Sequence, residues 1–125
     1  MKKNHKYYYF YLNKSHMNDR QKSLLKVIPV KALEGIYRRT LLYNDDLMMC
    51  HFFLEKGSEI PIHSHPQHQL GFMLKGKLKF ITDEGEFIVN EGDCYLFNSN
   101  ERHGAKILED SEVLDVFSPS REDYK

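Results

Sequence analysis

Residues Gly57 to Gly76 read G-S-E-I-P-I-H-S-H-P-Q-H-Q-L-G-F-M-L-K-G. Alternate side chains of an extended strand share a face, so His63 and His65 can aim their imidazoles at one point. Pro66 favours a turn, and the strand expected from about Gln69 onward offers a side-chain carbonyl oxygen to the same point. His103 opens a later short apolar run. Three imidazoles plus one oxygen make a ligand set suited to a borderline divalent metal, with room left for water or substrate. One such histidine alone would be read as a satisfied core or turn residue; three together favour the metal. His68 has the opposite strand parity to Gln69 and is expected in solvent or in loop packing.

Outward from this stretch the chain reads as short strands between turns. Val27, Ile28 and Val30 form an apolar lead-in whose Pro29 suits an edge strand. Gly35 opens I-Y-R-R-T-L-L-Y, Asn44 to Asp46 mark a turn, and Leu47 to Leu54 is a second strand, apolar on both faces. One face of that run is expected to line a barrel, the other to meet a second sheet or a neighbouring subunit. After a turn at Glu55 to Ser58, a strand from Ile60 to His65 carries the paired histidines. Gln69 to Leu74 is the next, closed by Lys75 and Gly76, and Lys77 to Phe80 alternates charged with apolar. Turns at Asp83 to Gly85 and Asn90 to Asp93 flank a strand at Glu86 to Val89. Cys94 to Phe97, His103 to Leu108 and Glu112 to Phe117 complete the series, with Glu109 and Asp110 read as a turn. Eight or more short strands with Gly and Asn/Asp punctuation indicate an all-β barrel or sandwich. Only residues 17–26 suggest a brief helix, and no phosphate loop, nucleophile elbow or βαβ alternation is present.

The 125-residue length suits one domain with a real core. Residues 1–22 hold six lysines and arginines against one aspartate, a formal +5, so the net charge of zero leaves −5 on the remainder. The basic, tyrosine-rich leader, residues 1–23, has neither period nor turn logic and is expected to be a flexible terminus, with Met17 an alternative start. A single folded domain over 24–125 follows. The acidic remainder argues against nucleic acid as partner. No run approaches the ~20 apolar residues needed to span a bilayer, and the start makes a poor signal peptide. Cys50 and Cys94 lie in apolar runs without metal or redox spacing, so buried free thiols in a reducing cytoplasm are expected.

The histidine-bearing stretch resembles the cupin superfamily. The first cupin motif, G-x5-H-x-H-x(3 or 4)-E-x6-G, is met by Gly57, His63, His65 and Gly76, with Gln69 in the place of the glutamate. The second, G-x5-P-x-G-x2-H-x3-N, is met by Gly92 and His103, while Asn98, Asn100 and Ile107 depart from it. This resemblance implies a jelly-roll β-barrel over about residues 35–117 with a metal in its mouth. The ending L-D-V-F-S-P-S-R-E-D-Y, Leu114 to Tyr124, together with Gln69, is similar to small cupins of the KdgF type. That similarity implies an isomerase of pectin and alginate breakdown that linearises 4,5-unsaturated uronates. It further implies metal ligation by His63, His65, Gln69 and His103, with Asp115, Phe117 and Arg121 near the substrate.

The residues themselves support parts of this chemistry. Gln69 in place of a carboxylate leaves the metal centre one unit more positive, which suits an anionic substrate. Zn, Ni, Fe and Mn are not distinguished by such ligands. In V-L-D-V-F, Val113, Asp115 and Phe117 share one face and Leu114 and Val116 the other. If the first set lines the barrel, burial raises the pKa of Asp115 and suits it to proton transfer; if the second does, Asp115 is simply exposed. Arg121 either clamps a substrate carboxylate bidentately or is simply a solvated arginine of the tail. The alternatives are an iron or manganese dioxygenase and a non-enzymatic small-ligand-binding cupin. A homodimer is expected, because a monomer would expose the second face of Leu47 to Leu54.

Overall fold

The computed structural model describes residues 20–125. Of the leader, only Arg20 to Ser23 fall within these; residues 1–19, and with them most of that expectation, lie outside the described residues. A single 3-10 turn, Leu24–Lys26, is what forms of the brief helix expected there. Eight antiparallel strands follow: β1 (Val30–Leu33), β2 (Ile36–Tyr43), β3 (Met48–Leu54), β4 (Glu59–His63), β5 (His68–Thr82), β6 (Gly85–Asn90), β7 (Cys94–Phe97) and β8 (His103–Ser118).

Two long strands organise the molecule. β5 and β8 pair along most of their length, Gln69 opposite Phe117 at one end and Thr82 opposite His103 at the other. The first half of β5 and the second half of β8 continue into β7 on one side and β3, β2 and β1 on the other. The remaining halves continue into β6 and β4. The result is an all-β jelly roll whose inner faces enclose Met48, Leu54, Met73, Leu78, Phe97 and Phe117, all nearly inaccessible to water.

These long strands correct two expected breaks. Lys75–Gly76 does not end a strand, and Glu109–Asp110 does not turn the chain; both segments are bends inside β5 and β8. Successive register shifts between Met73 and Leu78 move the inward set of β5 from Gln69, Gly71 and Met73 to Leu78 and Phe80. Gly76 has φ +96°, and a Cβ there would lie 2.2 Å from Ser111 Oγ and 2.4 Å from the Asp110 carbonyl oxygen. Only glycine allows so close a crossing in that conformation. Ser111 Oγ accepts the Lys77 N–H at 3.1 Å and donates to the Glu109 carbonyl at 2.7 Å, satisfying groups that the bend leaves out of the ladder.

Two smaller expectations also change. β4 ends at His63, so His65 stands in the following loop rather than in the strand. Cys94 is exposed, not buried, because alternation along β7 turns Tyr95 and Phe97 inward and Cys94 out; Cys50 is buried as expected. The edge strand begins at Val30, just after Pro29. Among the described residues no helix is long and apolar enough to cross a membrane.

Candidate metal centre

The three histidines reach one place by three local devices. On β4 the register runs from Ile60 opposite Ala105 to His63 opposite His103, three residues against two, and this irregularity between Ile60 and His63 brings His63 opposite His103. His103 is the first residue of β8, and its ring stacks on Phe97 with centroids 4.1 Å apart and planes 5° from parallel. His65 is held from the loop. Asn100 N–H donates to its carbonyl at 2.8 Å, and Phe117 packs edge-on against its ring at 5.7 Å. The nitrogens of the three rings that can ligate lie within 4.8 Å of one another, so these histidines could hold a metal ion.

Hydrogen bonding fixes which nitrogen of each ring faces the centre. Nδ1 of His63 meets the Pro61 carbonyl at 2.8 Å, that of His65 the Gln67 carbonyl at 3.0 Å, and that of His103 the Glu101 carbonyl at 2.8 Å. A carbonyl only accepts, so each Nδ1 carries the proton and each Nε2 is left with a lone pair. Nε2 of His103 is buried with no hydrogen-bond partner. Nε2 of His65 faces Gln69 Oε1 at 3.0 Å, one acceptor against another. Such a contact is unfavourable without a positive centre between or beside the two atoms, so the donor set fits a cation. Burial pushes His103 down to about 4 and also lowers His65, helped there by the positive charge of Arg121, so both rings stay neutral at physiological pH.

Gln69 links this cluster to a carboxyl group. Its Nε2 donates to Asp115 Oδ2 at 3.2 Å, which turns its Oε1 towards the histidines. Tyr95 O–H donates to Asp115 Oδ1 at 2.5 Å. Gly71 makes that bond possible: it pairs with Tyr95 on one side and Asp115 on the other, and a Cβ on it would lie 2.0 Å from the tyrosine Cζ. Asp115 therefore faces inward with Val113 and Phe117, the first of the two orientations open in the sequence. Burial raises its pKa to about 7, against the opposing pull of the Tyr95 and Gln69 hydrogen bonds. Burial and the adjacent Asp115 push Tyr95 well above its ordinary value.

A cavity of about 420 Å³ joins these groups; His63, Gln69, His103 and Asp115 line it together with Arg38, Phe117, Arg121 and Tyr124. The 3-10 turn Glu122–Tyr124 folds the end of the chain over this opening, with Tyr124 edge-on to Phe52 and Phe117. Arg121 is largely covered. Its Nε and Nη2 donate to the Asp123 carboxylate at 3.2 and 3.0 Å, which holds Asp123 below the usual carboxylate range. His68 is exposed and accepts the Ser99 N–H, outside the cluster. Spacing and motif do not single out Tyr95 or Arg38. Tyr95 carries a usable signal, since alternation in C-Y-L-F puts it on the face of Phe97; the adjacent arginines 38 and 39 give none.

Comparison with known proteins agrees with this architecture. A cupin domain model matches residues 50–117. The pectin degradation protein KdgF of Dickeya dadantii (strain 3937) is 36% identical over 93 residues, 73% of this chain and 84% of that protein. Among solved structures, KdgF from Halomonas sp. superposes with a TM-score of 0.78 at 27% identity, covering 82% of this chain and 96% of the other. An RmlC-like cupin from Shewanella frigidimarina NCIMB 400 superposes at 0.79 with 25% identity, over 83% and 94% of the two chains. The chain belongs to the cupin family, and within it is related to KdgF.

Proposed function

We propose that this chain is a metal-dependent enzyme that opens the ring of a small unsaturated uronate, a 4,5-unsaturated sugar acid, and converts the resulting enol to a ketone. The observation that carries this reading is a cluster of three histidines, two of which line a cavity together with Gln69 and a buried carboxyl group. The relationship to KdgF, named for pectin degradation, supports a uronate as the substrate. A divalent ion held by His63, His65, His103 and Gln69 would supply Lewis acidity towards a substrate oxygen.

The reaction is an isomerisation. The bond between the anomeric carbon and the ring oxygen breaks, the anomeric hydroxyl gives up its proton to become an aldehyde, and the ring oxygen takes one up as an enol. The enol then loses its hydroxyl proton while C4 gains one, so no oxidant or second substrate is consumed. Asp115 moves that proton, because a carboxyl with a pKa of about 7 both gives and takes one near neutral pH. Tyr95 and Gln69 hold it in place. Phe117 provides an apolar wall that excludes water, and Arg121 keeps Nη1 for the substrate carboxylate while Asp123 engages its other edge.

Residues 24–125 act as one folded unit in this reading, since every strand that carries a site residue belongs to one hydrogen-bonded sheet. The two free thiols support a cytoplasmic location. Pairing with a second copy is supported by an exposed apolar outer face.

Unsaturated galacturonate incubated anaerobically with the protein tests the reaction, followed by loss of its ultraviolet absorbance. Turnover is expected in the wild type, with a loss of ~10² or more in Asp115→Asn at unchanged metal content. Full activity in that variant removes Asp115 from the mechanism, and absence of product from the wild type removes the reaction.

A further inference from the structure

Arg38 is a cation that lines the cavity. It stands on the inward face of β2 with Ile36 and Thr40, opposite Phe52 on β3, which in turn lies opposite Val113 on β8. Its cross-strand neighbours Phe52 and Val113 are therefore both apolar. Among the described residues Arg38 forms no ion pair, and its Nε is buried without a hydrogen-bond partner. Both carboxyl groups that line the cavity are engaged elsewhere, Asp115 by Tyr95 and Gln69, Asp123 by Arg121. A buried guanidinium edge with an unmet donor is costly unless water or a ligand completes it, and an anionic ligand completes it most strongly.

Its position relative to Arg121 indicates what that ligand is. The guanidinium carbons of Arg38 and Arg121 lie 4.1 and 3.8 Å from the centroid of the Tyr124 ring, so they are at most about 8 Å apart. Both guanidinium groups line the same cavity, so a carboxylate bound there lies in the field of two cations, each able to offer charge-assisted hydrogen bonds.

We propose that Arg38 is the second arm of a carboxylate-binding site shared with Arg121, and that it makes the cavity select acidic over neutral sugars. This rests on the reading of the substrate as a sugar acid and names the residue that reads the acid. Arg39, the next residue, points to the other face of β2 and donates to the Val27 carbonyl, so it provides a control of equal charge.

Calorimetric titration of the purified full chain with D-galacturonate and D-galactose tests the proposal. The wild type is expected to prefer the acid by roughly tenfold or more, the scale of one charge-assisted hydrogen-bonded contact. Arg38→Met is expected to reduce that preference several-fold while its affinity for galactose is retained, which a merely structural role would not do, and Arg39→Met to behave as wild type. If Arg38→Met does not fold, Arg38→Lys keeps the charge without the planar fork and is expected to show a weakened preference. Wild-type discrimination in the Arg38 variants, or a wild type without a preference, overturns the proposal. Discrimination that depends on Arg38 in a protein that leaves unsaturated galacturonate unchanged would remove the proposed reaction and support the role of Arg38.

Discussion

His63, His65 and His103 each donate Nδ1–H to a backbone carbonyl two residues away in the chain, so the backbone itself sets their tautomers. The three histidines cluster as the motif spacing implies, although His65 reaches the cluster from a loop and not by strand alternation with His63. Gln69 is legible as the first inward position of its strand. Asp115 was half legible: alternation put it with Phe117, and only the packed barrel showed that this face is the inner one. Arg38 was not legible, because I-Y-R-R-T-L-L-Y carries an arginine on each face and gives no sign of which is enclosed. The two cysteines show how parity acts at a single residue. Burial pushes the Cys50 thiol up to about 11, whereas Cys94 is exposed. Alkylation of the native protein with iodoacetamide is therefore expected to modify Cys94 and spare Cys50, as read by peptide mass spectrometry; modification of both at similar rates would contradict the assigned faces of β3 and β7.

At the scale of the element, the bends of β5 and β8 decide where the site forms. Each strand crosses from one layer to the other, so Gln69 and Asp115 on one half face His103 on the other. Glycine at position 76 and polar residues at 109 to 111 look like turn residues because a bend and a turn need the same freedom of backbone and the same local hydrogen bonds. The distinction depends on pairing between strands more than twenty residues apart in sequence, which local composition does not encode. Two glycines separate the effects. Gly57 has φ +88° with nothing within 4 Å of the place a Cβ would take, while Gly76 combines φ +96° with a close crossing of β8. Gly57→Ala is expected to cost about 1–2 kcal/mol for the left-handed conformation alone. Gly76→Ala adds overpacking of ~1–3 kcal/mol, for a total of about 2–5 kcal/mol by urea unfolding. Equal costs at the two positions would argue against the tight crossing.

For the whole molecule, the outer face of the barrel and its inner site make separate demands. Met49, Val116, Leu70 and Leu96 form one row across β3, β8, β5 and β7 on the outside, with Leu114 and Phe72 in the next, and several of these are more than a third exposed. Such a face favours a second copy of the chain. Light scattering is expected to give twice the 14.9 kDa chain mass, and Leu70→Lys with Leu96→Lys to give the monomer; a wild-type monomer at micromolar concentration would contradict the pairing. Inside, a divalent cation shared by His63, His65, His103 and Gln69 would relieve the unpartnered Nε2 of His103 and the acceptor pair at His65. Elemental analysis of protein purified without added metal, after exposure to Zn, Ni, Fe and Mn in turn, tests this most directly. One divalent ion per chain, lost in His103→Ala and accompanied by a raised unfolding temperature when present, is the expected result. A chain that retains none of these ions and unfolds at the same temperature with or without them would contradict it.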